Sequence, residues 1–142
     1  MQRKLQRKQG ARRALLKNLA SSLILYEKIT TTLAKAKEVV AFVEHLIAKG
    51  SLRDLSARRY LLKYLPRNVV KKMMDEIIPS VGQRKGGYFR ILRLSERTGD
   101  GAPLAVVEFT DKIRPLSPPQ PPQKNKKKVK ALKEEKTKNE TK

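Results

Sequence analysis

Residues 84–94 combine side chains of the types that bind nucleic acids. Two cations precede a double glycine, and a tyrosine then opens an apolar run that contains two arginines. Guanidinium and ammonium groups bind phosphate, glycines let a backbone approach closely, and a tyrosine ring can stack on a base. A simple turn into a strand would need the glycines but not the cations. The pattern predicts nucleic-acid contacts at Arg84, Lys85, Gly86, Gly87, Tyr88, Arg90 and Arg93.

A second cationic run lies at the N-terminus. Between Arg3 and Lys17 there are seven Lys or Arg residues and no acid, whereas a solvated surface normally mixes both signs. The run therefore predicts an anionic partner, and the alternative is a helix start that only increases solubility. Its cations are Arg3, Lys4, Arg7, Lys8, Arg12, Arg13 and Lys17.

The composition favours a nucleic-acid binder and argues against an enzyme. The 142 residues include 34 Lys or Arg against 13 Asp or Glu, with a net charge of +21 and a pI near 10.6. There is no cysteine and a single histidine, His45, so no thiolate nucleophile, metal site or cofactor is expected. Asp75 and Glu76 are adjacent and point to different sides of a helix, which makes them a poor acid–base pair. A nuclease would require clustered carboxylates or a histidine pair.

Hydrophobic spacing predicts four helices and three short strands. The first helix starts at Ala11, and its apolar stripe is Leu15, Leu19, Leu23 and Tyr26, widened by Leu16, Ala20 and Ile24. A β-branched strand at 29–32 follows, with Thr32 as a possible cap for a helix that ends at Gly50. A third helix, with a weak capping box at Ser51 and Asp54, ends at Pro66. A fourth helix, capped by Asn68, ends at Pro79.

The last part of the folded region reads as a hairpin beside the first strand. A strand through residues 88–94 and another at 104–109 are joined by about nine loop residues of turn chemistry. The strand at 29–32 would pair at the side of this hairpin. Five prolines between Pro115 and Pro122, followed by lysine-rich sequence, predict a disordered tail. The tail either neutralises phosphates as a tether or only increases solubility.

These elements predict one small α/β domain of the α+β type. Its two layers are helices on a short three-stranded sheet, in the order α-β-α-α-α-β-β. The predicted boundaries are a basic arm at 1–11, an RNA-binding domain at 12–111 and a Pro/Lys-rich tail at 112–142.

The order and wording of several segments resemble a known family. They are the runs at 13–24, 29–38 and 42–44, the glycine–glycine–tyrosine segment at 86–88 and the strand at 105–108. Together they closely resemble the seventeenth large-subunit ribosomal protein family of bacteria over about residues 1–110, without the tail.

The resemblance implies a structural protein of the large ribosomal subunit. It implies binding to large-subunit ribosomal RNA on the outer side near the nascent-chain exit, next to other ribosomal proteins. It implies no catalysis, cofactor, membrane or small-molecule substrate. The positions that match the family's RNA-facing residues are Arg3, Lys4, Arg7, Arg12, Arg13, Lys17, Lys35, Lys37, Arg84, Gly86, Gly87, Tyr88 and Arg90.

A competing hypothesis uses the same cations without sequence preference. A nucleoid or RNA-chaperone-like protein would bind duplex DNA comparably well and would hold no fixed place in a ribosome. A cytoplasmic location on the ribosome is expected rather than an organellar one, because no long presequence is present.

Overall fold

The computed structural model describes residues 3–81, 84, 86–111 and 113. Its first three helices are α1 (Gln9–Tyr26), α2 (Leu33–Gly50) and α3 (Leu55–Tyr64). A fourth helix, α4, joins three consecutive segments, Arg67–Lys72, Met73–Ile77 and Ile78–Val81. The strands are β1 (Lys28–Thr32), β2 (Phe89–Glu96) and β3 (Pro103–Phe109). The predicted α/β class and element order are confirmed.

The three strands form one antiparallel sheet in the order β1-β3-β2. The first strand therefore pairs at the side of the hairpin, as predicted, and β3 becomes the central strand. Ala105, Val107 and Phe109 alternate along β3 and are buried in the core. Helix α2 contacts all three strands, so the helices cover this face of the sheet.

The hairpin loop is shorter than the predicted nine residues. Glu96 still belongs to β2 and Pro103 already opens β3, so only residues 97–102 connect the strands. A register shift between Arg93 and Glu96 lets pairing resume at Glu96 and Pro103 after an irregular step. Inside the loop, Arg97 donates two hydrogen bonds to the Asp100 carboxylate.

The buried face of α1 lies on the widened side of the predicted apolar stripe. Leu16, Ala20, Leu23 and Ile24 are buried, whereas Tyr26 is 74% exposed. Tyr26 is the last residue of the helix, and the chain turns at Glu27 in the left-handed region. Its phenol therefore reaches solvent, where the hydroxyl is hydrated.

Gly50 ends α2 at the predicted place for a different physical reason. A Cβ at Gly50 would lie 2.6 Å from Cδ1 of Ile78 and 3.3 Å from Cδ1 of Leu61. The glycine therefore permits the close packing of α2 against α3 and α4. The residue that follows, Ser51, has ordinary helical dihedral angles.

Two of the predicted helix boundaries are wrong for α4. The helix begins at Arg67 after Pro66, so Asn68 lies inside it, and it continues through Pro79 to Val81. Proline normally ends a helix because its ring collides with the carbonyl four residues before it. Here Met73–Ile77 form a π-helical turn, in which the amide of Ile78 donates to the carbonyl of Met73. The wider turn accommodates Pro79.

At α3 the cap is Asp54, whereas the predicted capping box would make Ser51 the cap and Asp54 its partner. The Asp54 carboxylate accepts a hydrogen bond from the amide of Ala57 at 2.6 Å, while the Ser51 hydroxyl donates to the carbonyl of Ala48 instead. Thr32 occupies the residue before α2 without a side-chain capping bond.

Both ends of the predicted domain differ slightly from the structure. Helix α1 starts at Gln9, so residues 9–11 of the predicted arm are helical. At the other end, Ile113 packs against the core, two residues past the predicted boundary. The tail predicted at 112–142 lies outside the described residues apart from Ile113. Across the described residues, no helix is long and apolar enough to span a membrane.

Lys72 is a cation with a structural function. Its ammonium group donates to the carbonyl of Leu25 at 2.8 Å and to the carboxylate of Glu27 at 2.7 Å. These bonds join α4 to the C-terminal end of α1, where unpaired carbonyls and the helix dipole favour a positive charge.

Replacing this ammonium group should destabilise the fold. We expect Lys72→Met to lower the free energy of unfolding by about 1–3 kcal/mol, because a partly buried carbonyl and carboxylate lose their donor. The exposed neighbour Lys71 provides the control. Its replacement, Lys71→Met, should change the free energy of unfolding by less than about 0.5 kcal/mol. Urea unfolding measures both variants, and equal midpoints for the two would contradict this assignment.

Candidate nucleic-acid interface

The cations of the arm and of the starts of α1 and α2 form an N-terminal cationic surface. Arg3 pairs with Glu38, and within the described part of the chain the other members have no ion pair. Lys35 is half-buried and Arg12 is partly covered, whereas the rest are exposed. The members of this surface are Arg3, Lys4, Arg7, Lys8, Arg12, Arg13, Lys17, Lys35 and Lys37.

The backbone increases the positive potential of this surface. Leu5 and Gln6 both have positive φ angles and turn the chain into α1, whose residue before the helix, Lys8, makes no side-chain cap. Neither α1 nor α2 has an acidic residue in its first turn. Cations therefore stand where the helix dipole favours anions, an unfavourable arrangement that a bound phosphate would relieve.

An ion pair attaches the arm to the second helix. The Arg3 guanidinium lies 3.8 Å from the carboxylate of Glu38, whose side chain is only 13% exposed. The start of the arm is therefore within one side-chain length of α2, and α1 packs directly on α2. The structure therefore places Arg3 beside the first turns of α2, where Lys35 and Lys37 lie more than 30 residues further along the sequence.

The predicted residues before β2 form a second, separate site, which we call the glycine corner (Arg84, Gly86, Gly87 and Arg90). Gly87 has a φ of +69°, which a side chain would strain, and its carbonyl accepts from the Thr110 hydroxyl at 3.3 Å. A Cβ at Gly86 would meet nothing within 4 Å. No other part of the described chain therefore packs against these glycines, and the space beside them is open to a ligand.

Tyr88 does not offer the open face that base stacking requires. Its side chain belongs to the core and is 6% exposed. The hydroxyl donates to the carbonyl of Arg84 at 2.9 Å, and the backbone carbonyl accepts from the amide of Thr110. A buried tyrosine usually forms a hydrogen bond through its hydroxyl within the protein. Here that bond holds the backbone at Arg84 in place, so Tyr88 supports the glycine corner from inside the core. The expectation of a stacking role for Tyr88 is corrected to a structural one.

The arginines of the glycine corner are partly neutralised. Arg84 lies 3.1 Å from the carboxylate of Asp111, and Arg90 lies 2.6 Å from the carboxylate of Glu108. The hydrogen bond from Arg90 lowers the pKa of Glu108, and the charge of nearby Lys28 lowers it further. These exposed cations remain able to contact a phosphate, but each already has an acid beside it.

The sheet register separates the glycine corner from the N-terminal cationic surface. Leu104 pairs with Thr32, where α2 begins, while Phe109 pairs with Phe89, just after the glycines. Five residues of strand separate these pairs, or about 17 Å. Arg93 is exposed and pairs with Ala105, nearer the α2 end, so it is apart from Arg84. Lys85 lies outside the described residues.

A group of residues between α1, α2 and α3 was missed by the sequence reasoning. Phe42, His45, Tyr60 and Tyr64 place their rings along an open groove of about 810 Å³, which we call the aromatic groove. The sequence does contain a signal for this group, because Phe42 and His45 are three residues apart on α2 and Tyr60 and Tyr64 are four apart on α3. Such spacings place side chains on one face of a helix. Only the tertiary structure shows that the two pairs face each other, with His45 exposed to solvent.

Acidic side chains are not clustered for metal binding in the part of the chain that the structure describes. The described residues include no group of three or more His, Cys, Asp or Glu side chains that could hold a metal ion. Among the described carboxyl groups, Asp100 has the most strongly lowered pKa. Hydrogen bonds from Arg97 and from the amide of Ala102 lower it to about 2. The Arg97–Asp100 pair lies in the exposed hairpin loop and stabilises its turn.

The pairing of Arg90 with Glu108 should be visible in a titration. We expect Arg90→Gln to raise the Glu108 pKa toward its ordinary value, and carboxyl-carbon NMR measures that change. A lowered pKa stabilises the fold above the ordinary carboxyl pKa, and this contribution disappears as pH falls through the lowered value. The variant should therefore lose less stability on acidification. Arg93→Gln is the control, and an unchanged Glu108 pKa in Arg90→Gln would contradict the pairing.

Comparison with known proteins identifies the family. The sequence model described as ribosomal protein L17 matches residues 15–110. The large ribosomal subunit protein bL17 of Caldanaerobacter subterraneus subsp. tengcongensis is 52% identical over 107 residues, which cover 75% of this chain and 96% of that protein. The bL17 protein of Thermus thermophilus is 50% identical over 111 residues, or 77% and 94% of the two chains. A cationic surface on an α/β domain without a metal cluster in its described residues fits such relatives, and the chain belongs to the L17 family of bacterial large-subunit ribosomal proteins.

Proposed function

We propose that this chain binds large-subunit ribosomal RNA through its N-terminal cationic surface, near the nascent-chain exit side of the subunit. Membership of the L17 family makes it a structural, non-enzymatic component of the bacterial ribosome, and therefore a cytoplasmic protein with ribosomal RNA and ribosomal proteins as partners. The proposal concerns which residues contact the RNA, and where on the subunit they do so.

A single observation carries the proposal. Lys4, Arg7, Lys8, Arg13 and Lys17 are exposed, close together and without an ion pair in the described chain. Some cations elsewhere lie beside an acid, namely Lys28, Lys72, Arg84, Arg90 and Arg97, whereas those at the end of α2 and on α3 also lack an ion pair within the described residues. The N-terminal surface differs from them in density, because residues 3–17 carry seven cations and no acid. Leaving one surface unpaired costs self-repulsion in the free protein, which RNA phosphates would remove.

The glycine corner provides a second contact in this proposal. It lies at the other end of the sheet, so a bound RNA would touch two points roughly 17 Å or more apart. Double-stranded RNA is recognised mainly by shape, through phosphates and 2′-hydroxyls. Two contacts at a fixed separation would supply shape selectivity that net charge alone does not.

The salt dependence of binding tests the location of the contact. Replacing Arg7, Lys8 and Arg13 with Gln should reduce the slope of log K against log salt concentration by about 2–3, because each lost phosphate contact releases roughly 0.7–0.9 fewer counterions. Binding to a large-subunit RNA fragment across a salt series measures the slope.

A charge-matched variant separates location from net charge. Lys49, Arg58 and Arg59 are exposed cations at the end of α2 and on α3, and their replacement with Gln removes the same charge. This control should leave the slope nearly unchanged. Equal slopes for the two variants would refute a localised interface, and equal affinity of the wild-type chain for duplex DNA would favour the nonspecific binder.

A tethered cleavage reagent tests the place on the subunit. Because the chain has no cysteine, a single one can be introduced at Gln9, at the start of α1, or at Ser56 on α3 as the control. With an iron chelate attached and the protein assembled into large subunits, the Gln9→Cys probe should cut RNA strongly, at positions around the nascent-chain exit. Stronger cutting from Ser56→Cys would reverse the proposed orientation, and cuts remote from the exit would refute the location.

A further inference from the structure

The aromatic groove is a site that general charge attraction does not explain. Tyr64 stands in its middle, with its ring centroid 6.0 Å from that of Phe42 and 5.2 Å from that of Tyr60. The Phe42 contact is edge-to-face at 75°, and the Tyr60 ring is tilted by 53°. Nε2 of His45 lies 3.2 Å from the hydroxyl of Tyr60. Each ring is therefore oriented by its neighbours.

These rings are oriented without being buried. Tyr64 remains 37% exposed, His45 is exposed, and Phe42 and Tyr60 are only half-buried. The chain has three Phe and four Tyr residues, and three of these seven rings are gathered here. A helix pair that needed only packing would be served as well by leucines, which retain fewer exposed polar atoms. Ordered, accessible rings are instead the feature of a stacking platform.

The charges around the groove select the class of ligand. Arg13 and Lys17 line it from α1, and Lys63 lines it from α3. Glu38 is the acid that lines it, and that carboxylate is already paired with Arg3. The rim therefore attracts an anion that also carries a flat apolar group.

The groove is continuous with the N-terminal cationic surface. Arg13 and Lys17 belong to both, and Glu38 joins the arm to the wall of the groove. An RNA strand held by that surface would pass directly beside the rings. This continuity favours a nucleotide over an acidic peptide as the occupant, because one polyanion can satisfy both surfaces.

We propose that the aromatic groove binds an unpaired base of single-stranded RNA. The base stacks on Tyr64, and Arg13, Lys17 and Lys63 contact the phosphates on either side of it. The inference rests on the RNA binding proposed above and adds to it a single-stranded subsite, since a paired base has no free face to insert.

Binding of a short labelled RNA strand tests this subsite. The full chain is titrated against a single-stranded RNA of about ten nucleotides and against a fully paired RNA duplex of similar length. We expect Tyr64→Leu to weaken single-strand binding roughly tenfold, the usual range for one lost stacking ring, and to change duplex binding less than about twofold. Tyr64→Phe keeps the ring and should retain affinity for both.

Tyr26 supplies the matched control. It is a more exposed tyrosine at the far end of α1, outside the groove, so Tyr26→Leu should change neither affinity. Unchanged single-strand binding in Tyr64→Leu, or an equal loss in Tyr26→Leu, would overturn the inference while leaving the proposed RNA-binding function intact. If the wild-type chain binds neither the strand nor the duplex, both proposals fail.

Photo-crosslinking gives a readout that does not depend on a folded variant. A single-stranded RNA carrying 4-thiouridine is irradiated with the wild-type chain, and the linked peptide is identified by mass spectrometry. Linkage to the peptides that contain Tyr60 and Tyr64 supports the subsite. Linkage confined to other peptides overturns it. A Tyr64→Leu chain that binds RNA normally but no longer binds a neighbouring ribosomal protein would also overturn it, because the groove would then be a protein contact.

Discussion

The packing of helix α2 against central strand β3 is the contact on which the rest of the structure depends. Ala36, Val39, Val43 and Ile47 cover a sheet whose middle strand is buried through Ala105 and Val107. Four elements attach to this pair directly, since β1 and β2 hydrogen-bond to the two edges of β3, and α1 and α3 pack on α2. Helix α4 then packs on α1 and α3. No polar or charged residue of the described chain is buried, so apolar burial provides the stability and leaves the cations free for the surface.

Two sets of positive charges in the fold have different uses. Lys72 joins two helices through Leu25 and Glu27, and Arg90 and Lys28 share Glu108 across the sheet. These paired cations stabilise the fold of the free protein. The N-terminal cationic surface has almost no acids beside it, so its charges repel one another until an anion arrives. The ion pair between Arg3 and Glu38 limits that cost at one point and holds the arm against α2.

Local sequence signals predicted most of the fold because they depend on neighbours along the chain. The periodicity of α2 and the β-branched run of β1 each act within a few residues. The errors have two sources, an irregular helical turn in α4 and strand pairing across the sheet. Pro79 did not end α4, because a π-helical turn that starts at Met73 accommodates it. The hairpin loop is shorter than predicted, because pairing across the sheet resumes at Glu96.

For the site, the sequence by itself determined the composition, and the tertiary structure decided the grouping. The excess of cations, the lack of cysteine and the presence of a glycine pair before a tyrosine follow from residue types alone. Whether a ring faces solvent or the core does not, since burial depends on what packs over it. The structure therefore places Tyr88 inside the core and leaves Tyr64 accessible, although both have the same side chain. The separation of Arg90 from the N-terminal cationic surface was likewise decided by strand register, a long-range property that local sequence does not encode.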